Sequence, residues 1–406
     1  MRERMTDRGL DVILQADAIR PPLTGIGRYA TELARGLSSH PAVARLRYFG
    51  LASWLKDPLS AFENQRESHG GSVNEQTQHT WQSWLRTRLA TNSLAVKAYR
   101  TVGPPLAGWR LRNETESLYH SPNYFLPHVE GPAIATVHDL SHELYPSFHP
   151  GARVEFMLRA LPESLRHATY LITDAESVRK EVIDCYQWPA DRISAVPLGV
   201  DPSFHPRDNQ ILLRWLGSQG LRPDGYCLYV GTIEPRKNVD GLLTAYAMLP
   251  LALRKSFPLV LAGGTGWQSQ KTHERISQAV AQGWAHYLSF VPQARLPLLY
   301  AGARVFAFPS HYEGFGLPVL EAMASGVPVV TSNNSSLPEV IGSAGLTVSP
   351  QDIDALSQAL GCLLQDDGAR AHFRALALAR ASTFTWHRCV DATVSVYERI
   401  QKGDES

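Results

Sequence analysis

Between Val305 and Thr331 the chain passes from an unbroken apolar run into a glycine-rich loop, a short helix and a second apolar run. Few backbones can host that order. Val305-Phe306-Ala307-Phe308 has the length and composition of a buried strand. Gly314 and Gly316 follow in a loop. Pro318 opens a helix, where its fixed φ suits the first turn. The helix, Val319 to Ser325, stops at Gly326, and Val327 to Val330 is the next strand, with Pro328 near its start. Such a unit turns backbone N–H groups and a helix N-terminus toward an anion. Two acids, Glu313 and Glu321, sit within it.

The same alternation runs along the chain. Leu10 to Gln15 is a strand, Gly25 to about Leu37 a helix, and Arg45 to Leu51 a second strand. Residues 51–78 are polar and turn-rich and read as a variable loop. Tyr119-His120 and Ile134 to Val137 are further strands, Val154 to His167 a helix, and Leu171 to Asp174 a strand. Asp174 or Ser177 is placed to cap the helix that follows. After Ile193 to Pro197, the stretch Asp201 to Pro223 is rich in Pro, Asp and Arg and marks a domain boundary. The alternation restarts at Cys227-Leu228-Tyr229-Val230. Strands alternating with helices at this spacing predict parallel sheets. The expected fold is α/β, with Rossmann-like domains at 1–202 and 203–385. A last helix, 386–406, crosses back to the first domain.

At 406 residues the chain is long enough for two such domains. Its formal net charge of +1 sets up no field for nucleic acid. Cys185, Cys227, Cys362 and Cys389 are scattered without a CxxC pair, which argues against metal or disulfide frameworks and for a reducing cytoplasm. No apolar run approaches the ~20 residues of a membrane span. Met1 to Gly9 lacks the apolar core of a signal peptide.

Gly231 to Asn238 is a second anion motif. A glycine follows a strand, and Arg236 and Lys237 stand at the opening of a helix, where dipole and cations act together. The bland alternative is a solvated helix start. Gly25 and Gly27, in Thr24-Gly25-Ile26-Gly27-Arg28-Tyr29, invite a dinucleotide reading. Against it, these glycines come about eight residues after the strand, and no matched acid follows ~20 residues on. His138 and Asp139 end a strand at the edge where α/β sheets hold ligands. The one DxD, Asp352-Ile353-Asp354, begins a surface helix and reads as a cap, not a metal site.

Glu313, seven residues and Glu321, with Gly-Phe-Gly-Leu-Pro between them, resemble the signature of retaining GT-B glycosyltransferases of family 4. The likeness is dense from Gly231 to Thr331, moderate at 24–29, 136–140 and 197–201, and absent in about 51–118. It implies a GT-B fold, two lobes facing across a cleft. It gives Glu313 the donor sugar, Glu321 the nucleotide ribose, and Arg236 and Lys237 the diphosphate. The loop Gly314, Phe315, Gly316, Leu317 would contact sugar and diphosphate, with Gly25 and Gly27 facing the diphosphate across the cleft. His138 would touch the sugar at the reacting face, with Asp139 a weaker candidate, and the segment of Val291 would hold the base through its backbone. The resemblance implies no metal and no cofactor beyond the nucleotide-sugar donor. A GDP-sugar, GDP-mannose or a GDP-deoxyhexose, is the preferred donor, with UDP-sugars as the alternative.

Residues 76–113 carry six basic residues, no acid and interleaved Trp and Tyr. Such a segment can lie on an anionic membrane, at the inner face of the cytoplasmic membrane if the acceptor is a lipid-linked saccharide. Its alternative is a solvated helical face. Two glutamates also invite a glycosidase, but residues eight apart on a helix are separated by about 12 Å of rise, which favours two binding tasks over an acid–base pair. A non-catalytic partner subunit that binds nucleotide-sugar is a reading of another class.

Overall fold

The computed structural model describes residues 9–20, 24–50, 52–60 and 106–403. The first sheet contains β1 (Leu10–Gln15), β2 (Val43–Gly50), β3 (Ser53–Leu55), β4 (Leu118–Ser121), β5 (Ala133–Val137), β6 (Tyr170–Thr173) and β7 (Ile193–Ala195). Their order is β3-β2-β1-β4-β5-β6-β7, parallel except for β3, which turns back on β2. The second sheet contains β8 (Cys227–Val230), β9 (Leu259–Ala262), β10 (Ala285–Leu288), β11 (Val305–Phe308), β12 (Val329–Ser332) and β13 (Leu346–Val348). It is wholly parallel, in the order β10-β9-β8-β11-β12-β13. Every residue of β5, β9 and β11 is buried, which is why these strands are apolar runs and not alternations. β3 lies where the sequence reads as loop, and three residues are too few to show a period.

In each sheet the direction of winding reverses, between β1 and β4 and between β8 and β11. Loops leaving the strand ends at such a reversal diverge and leave a crevice. The loops after β8 and β11 are the two that carry Arg236, Lys237 and Glu313.

The chain crosses between the lobes twice, and the crossings touch. A Cβ on Gly199 would lie 2.2 Å from the backbone nitrogen of Trp386, and the N–H of Val200 donates to the Phe384 carbonyl at 3.2 Å. The last helix, Trp386–Lys402, then packs on the first lobe. Val390 fills the space beside Gly36 of the helix Gly25–Ser39, and Tyr397 Oη meets His120 Nδ1 at 2.5 Å.

Candidate active site

Arg236 and Lys237 lie in a 3-10 turn, Pro235–Lys237, and not in the helix itself. Asn238 ends that turn with φ 54° and caps the helix Val239–Met248 by accepting from Gly241 N–H. Its Nδ2 donates to the carbonyls of Pro309 at 3.0 Å and Pro350 at 2.8 Å, tying the loop after β8 to the loop after β11. The two cations therefore meet Glu313. Lys237 Nζ donates to both carboxylate oxygens at 2.7 and 2.9 Å, and Arg236 Nη1 to Oε2 at 3.1 Å. Ser335 Oγ accepts from Glu313 N–H at 3.0 Å, and Ser336 Oγ donates to the Glu313 carbonyl at 2.8 Å.

Burial alone would push the Glu313 carboxyl up, but Lys237 and Arg236 outweigh it and hold it below its usual range. Burial, reinforced by Arg236, lowers the Lys237 ammonium. Arg236 also pairs with Glu234 at 2.9 Å and faces the half-buried Asp139 across the cleft, whose carboxyl it helps hold low. The two cations expected to meet the diphosphate thus face three carboxylates, Glu313, Glu234 and Asp139.

Gly314 seats this loop on the first lobe. A Cβ there would stand 1.9 Å from the His138 carbonyl oxygen, an approach only glycine permits. Gly316, at φ 111°, leads into the helix Leu317–Ala324. The Phe315 ring is buried edge-on against Phe384, 6.0 Å between centroids, so its backbone is what remains for a ligand. His138 Nδ1 donates to Asp174 Oδ2 at 2.7 Å and Nε2 to the Pro122 carbonyl at 2.9 Å. Although burial pulls the other way, Asp174 keeps the His138 pKa above its ordinary value. The imidazole is thus committed inside the first lobe, and the His138 backbone meets the second. Neither Asp174 nor Ser177 caps the helix Glu176–Tyr186; its N–H groups are met by Glu339 of the other lobe.

On the first lobe, Thr24 Oγ1 caps the helix Gly25–Ser39 by accepting from Gly27 N–H at 3.1 Å, and the space beside Gly25 is open. One turn in, Arg28 reaches across the cleft and pairs with Glu321. Both side chains are largely buried. Tyr312 Oη donates to Glu181 Oε2 at 2.5 Å and accepts from Leu140 N–H at 3.1 Å, a third interlobe link. Val291 lies just past β10, two strands from β8, next to Phe290, which is 76% exposed. Arg28, Glu181 and Glu339 are absent from the sequence-derived site. Arg28 alone had a signal, its place beside Gly27.

Residues 219–379 match the family model for glycosyl transferases group 1, and residues 106–204 that for glycosyltransferase family 4. O-antigen chain mannosyltransferase B of Escherichia coli is 40% identical over 391 residues, 96% of this chain and 100% of the relative. The chain belongs to the family 4, group 1 glycosyltransferases. A serotype-specific mannosyltransferase, WbdA of Escherichia coli, is 30% identical over 254 residues, 62% of this chain and 31% of that one. The fold is GT-B. Anabaena HepE in complex with UDP and glucose superposes with a TM-score of 0.69 at 17% identity, covering 96% of this chain and 99% of that one. WaaG, a glycosyltransferase involved in lipopolysaccharide biosynthesis, does so at 0.65 and 17%, covering 97% and 100%.

This glycosyltransferase has a cavity of about 740 Å³ at the same edge of its first sheet, bordered by Asp17, Phe49, Tyr119, Asn123, Phe125 and Phe156. Asp352 caps a helix, as its sequence position implies, accepting from Ala355 N–H at 2.9 Å. Among the described residues no His, Cys, Asp and Glu cluster is built to hold a metal, and no helix is long and apolar enough to cross a membrane. Residues 76–105 of the basic aromatic segment lie outside the described residues. In its described remainder, residues 106–111 are helical, Trp109 is 60% exposed, and Arg112 lies over the Trp109 ring.

Proposed function

We propose that this glycosyltransferase moves a hexose, with retention, from a GDP-sugar to a saccharide or lipid-linked saccharide acceptor in O-antigen-type surface polysaccharide synthesis. GDP-mannose is the first choice of donor and a GDP-deoxyhexose the second. The Glu313–Lys237–Arg236 cluster at the β8/β11 crevice, facing Asp139 of the other lobe, carries the reading. The choice of mannose draws on the full-length likeness to the mannosyltransferase.

The bond broken is that between the sugar anomeric carbon and the leaving phosphate oxygen; the bond formed joins that carbon to the acceptor oxygen on the same face. Negative charge grows on the departing diphosphate, which takes the acceptor's proton. Arg236, Lys237 and the N-terminal amides of the helix Leu317–Ala324 stabilise that charge. Glu313 fixes the two cations and faces the sugar, while Glu321 receives the ribose. The reading assigns no metal. The acceptor occupies the cavity at the first sheet, whose aromatic side chains suit the apolar faces of sugars.

Incubation with GDP-mannose, a GDP-deoxyhexose and UDP-sugars, followed by release of nucleoside diphosphate, tests the reading. Slow hydrolysis of GDP-mannose is expected. Preference for a UDP-sugar would replace the donor, and release from none would favour a non-catalytic binding subunit. Trp109 with Arg110 and Arg112 supports peripheral contact with anionic lipid. Flotation with anionic vesicles is expected for the intact protein and not after neutralisation of basic residues within 76–113.

A further inference from the structure

The closed cleft is poorly matched to an incoming diphosphate, because Arg236 and Lys237 already face Glu313, Glu234 and Asp139. A polyanion entering there needs a further cation. Arg28 is in place to supply it. Its guanidinium rests on Glu321 Oε1, four residues into the helix Leu317–Ala324. That is about 6 Å along the axis from the amides at the helix start. We infer that Glu321 holds Arg28 in reserve, and that Arg28 passes to the donor diphosphate when the ribose hydroxyls take the Glu321 carboxylate.

This deepens the donor reading above and rests on it. Ribose hydroxyls on both oxygens of the Glu321 carboxylate compete with the Arg28 guanidinium for its lone pairs and weaken that hold. A largely buried guanidinium left without an anion is strongly unfavourable, so Arg28 must find another. The diphosphate arrives with the ribose. The guanidinium fork fits a carboxylate and a phosphate equally well, which makes the exchange geometrically easy. Asp201 is the other carboxylate that Arg28 senses, and it already accepts from Ser203 N–H at 2.8 Å. The exchange also links donor binding to closure, since Arg28 belongs to one lobe and Glu321 to the other.

The test compares binding of guanosine with GDP, and of uridine with UDP, to the wild-type protein and to Arg28→Ala. The expected result is a loss of nucleoside diphosphate affinity of roughly 10- to 100-fold, the usual scale for a hydrogen bond to a charged group, with nucleoside affinity nearly unchanged. Equal loss for both ligands would mean that Arg28 only orients Glu321, and would overturn the inference. So would unchanged affinity for both, which a move to Asp201 predicts. If Arg28→Ala does not fold, Arg28→Lys carries the test: the same selective loss is expected, in smaller degree, and loss shared with the nucleoside overturns it. Wild-type protein that binds neither GDP nor UDP would overturn the donor reading itself, a separately visible failure.

Discussion

The carboxylate of Glu339 accepts from the backbone N–H of Ser177 at 2.6 Å, so a side chain of the second lobe caps a helix of the first. Its other oxygen takes Glu176 N–H at 2.8 Å, and the helix has no side-chain cap of its own. A lost cap costs about 1 kcal/mol. Glu339→Ala should therefore loosen closure. X-ray scattering of the nucleotide-free variant should give a larger radius of gyration than wild type, with helix content unchanged. An identical radius would show that closure does not depend on this contact.

Glu181 should make stability depend on pH. Burial pushes its carboxyl up to about 7, while an unfolded glutamate titrates near about 4.3. The folded protein then binds this proton more tightly than the unfolded chain. The stabilisation is full below about 4.3 and is lost as pH rises through 7. Glu181→Gln keeps an acceptor for Tyr312 Oη and removes the titration. Between pH 5 and pH 8 its melting temperature should fall less than that of wild type, and parallel curves would count against the assignment.

Gly314→Ala should separate folding from activity. The added methyl would collide with the His138 carbonyl at the interlobe contact, while the core of each sheet is untouched. Circular dichroism should match wild type, and transfer should fall by at least about 100-fold, as when one stabilising donor is misplaced. Transfer within a few-fold of normal would show that the loop need not sit against β5.

Arg236→Ala and Lys237→Ala should each reduce transfer by at least about 100-fold. Each also leaves Glu313 with one buried partner fewer. Glu313→Gln made on top of Lys237→Ala should recover thermal stability without recovering turnover. Near-normal transfer by both single variants would remove the cluster from the reaction.

Much of this site could be read from the chain because its parts are local. Strands buried on both faces are apolar runs, and Arg236, Lys237, His138 and Glu313 all stand just past the end of one. What could not be read depends on how the lobes meet. Arg28 and Glu321 are 293 residues apart, and no local pattern announces their pairing. Glu339 is 162 residues from Ser177, so the sequence pointed to the nearest polar side chains as caps instead. The 3-10 turn at Arg236 was hidden for a different reason. It turns on Asn238 adopting a left-handed backbone and binding two distant carbonyls.

The contact between Gly199 and Trp386 bears on how the enzyme can move. Two strands of chain that leave one body at a single point behave as a strap hinge and not as two independent tethers. The halves can then rock about that line, but sliding past one another would tear the strands apart. Each closing should bring Glu313 of one lobe and Arg28 of the other back into the same register.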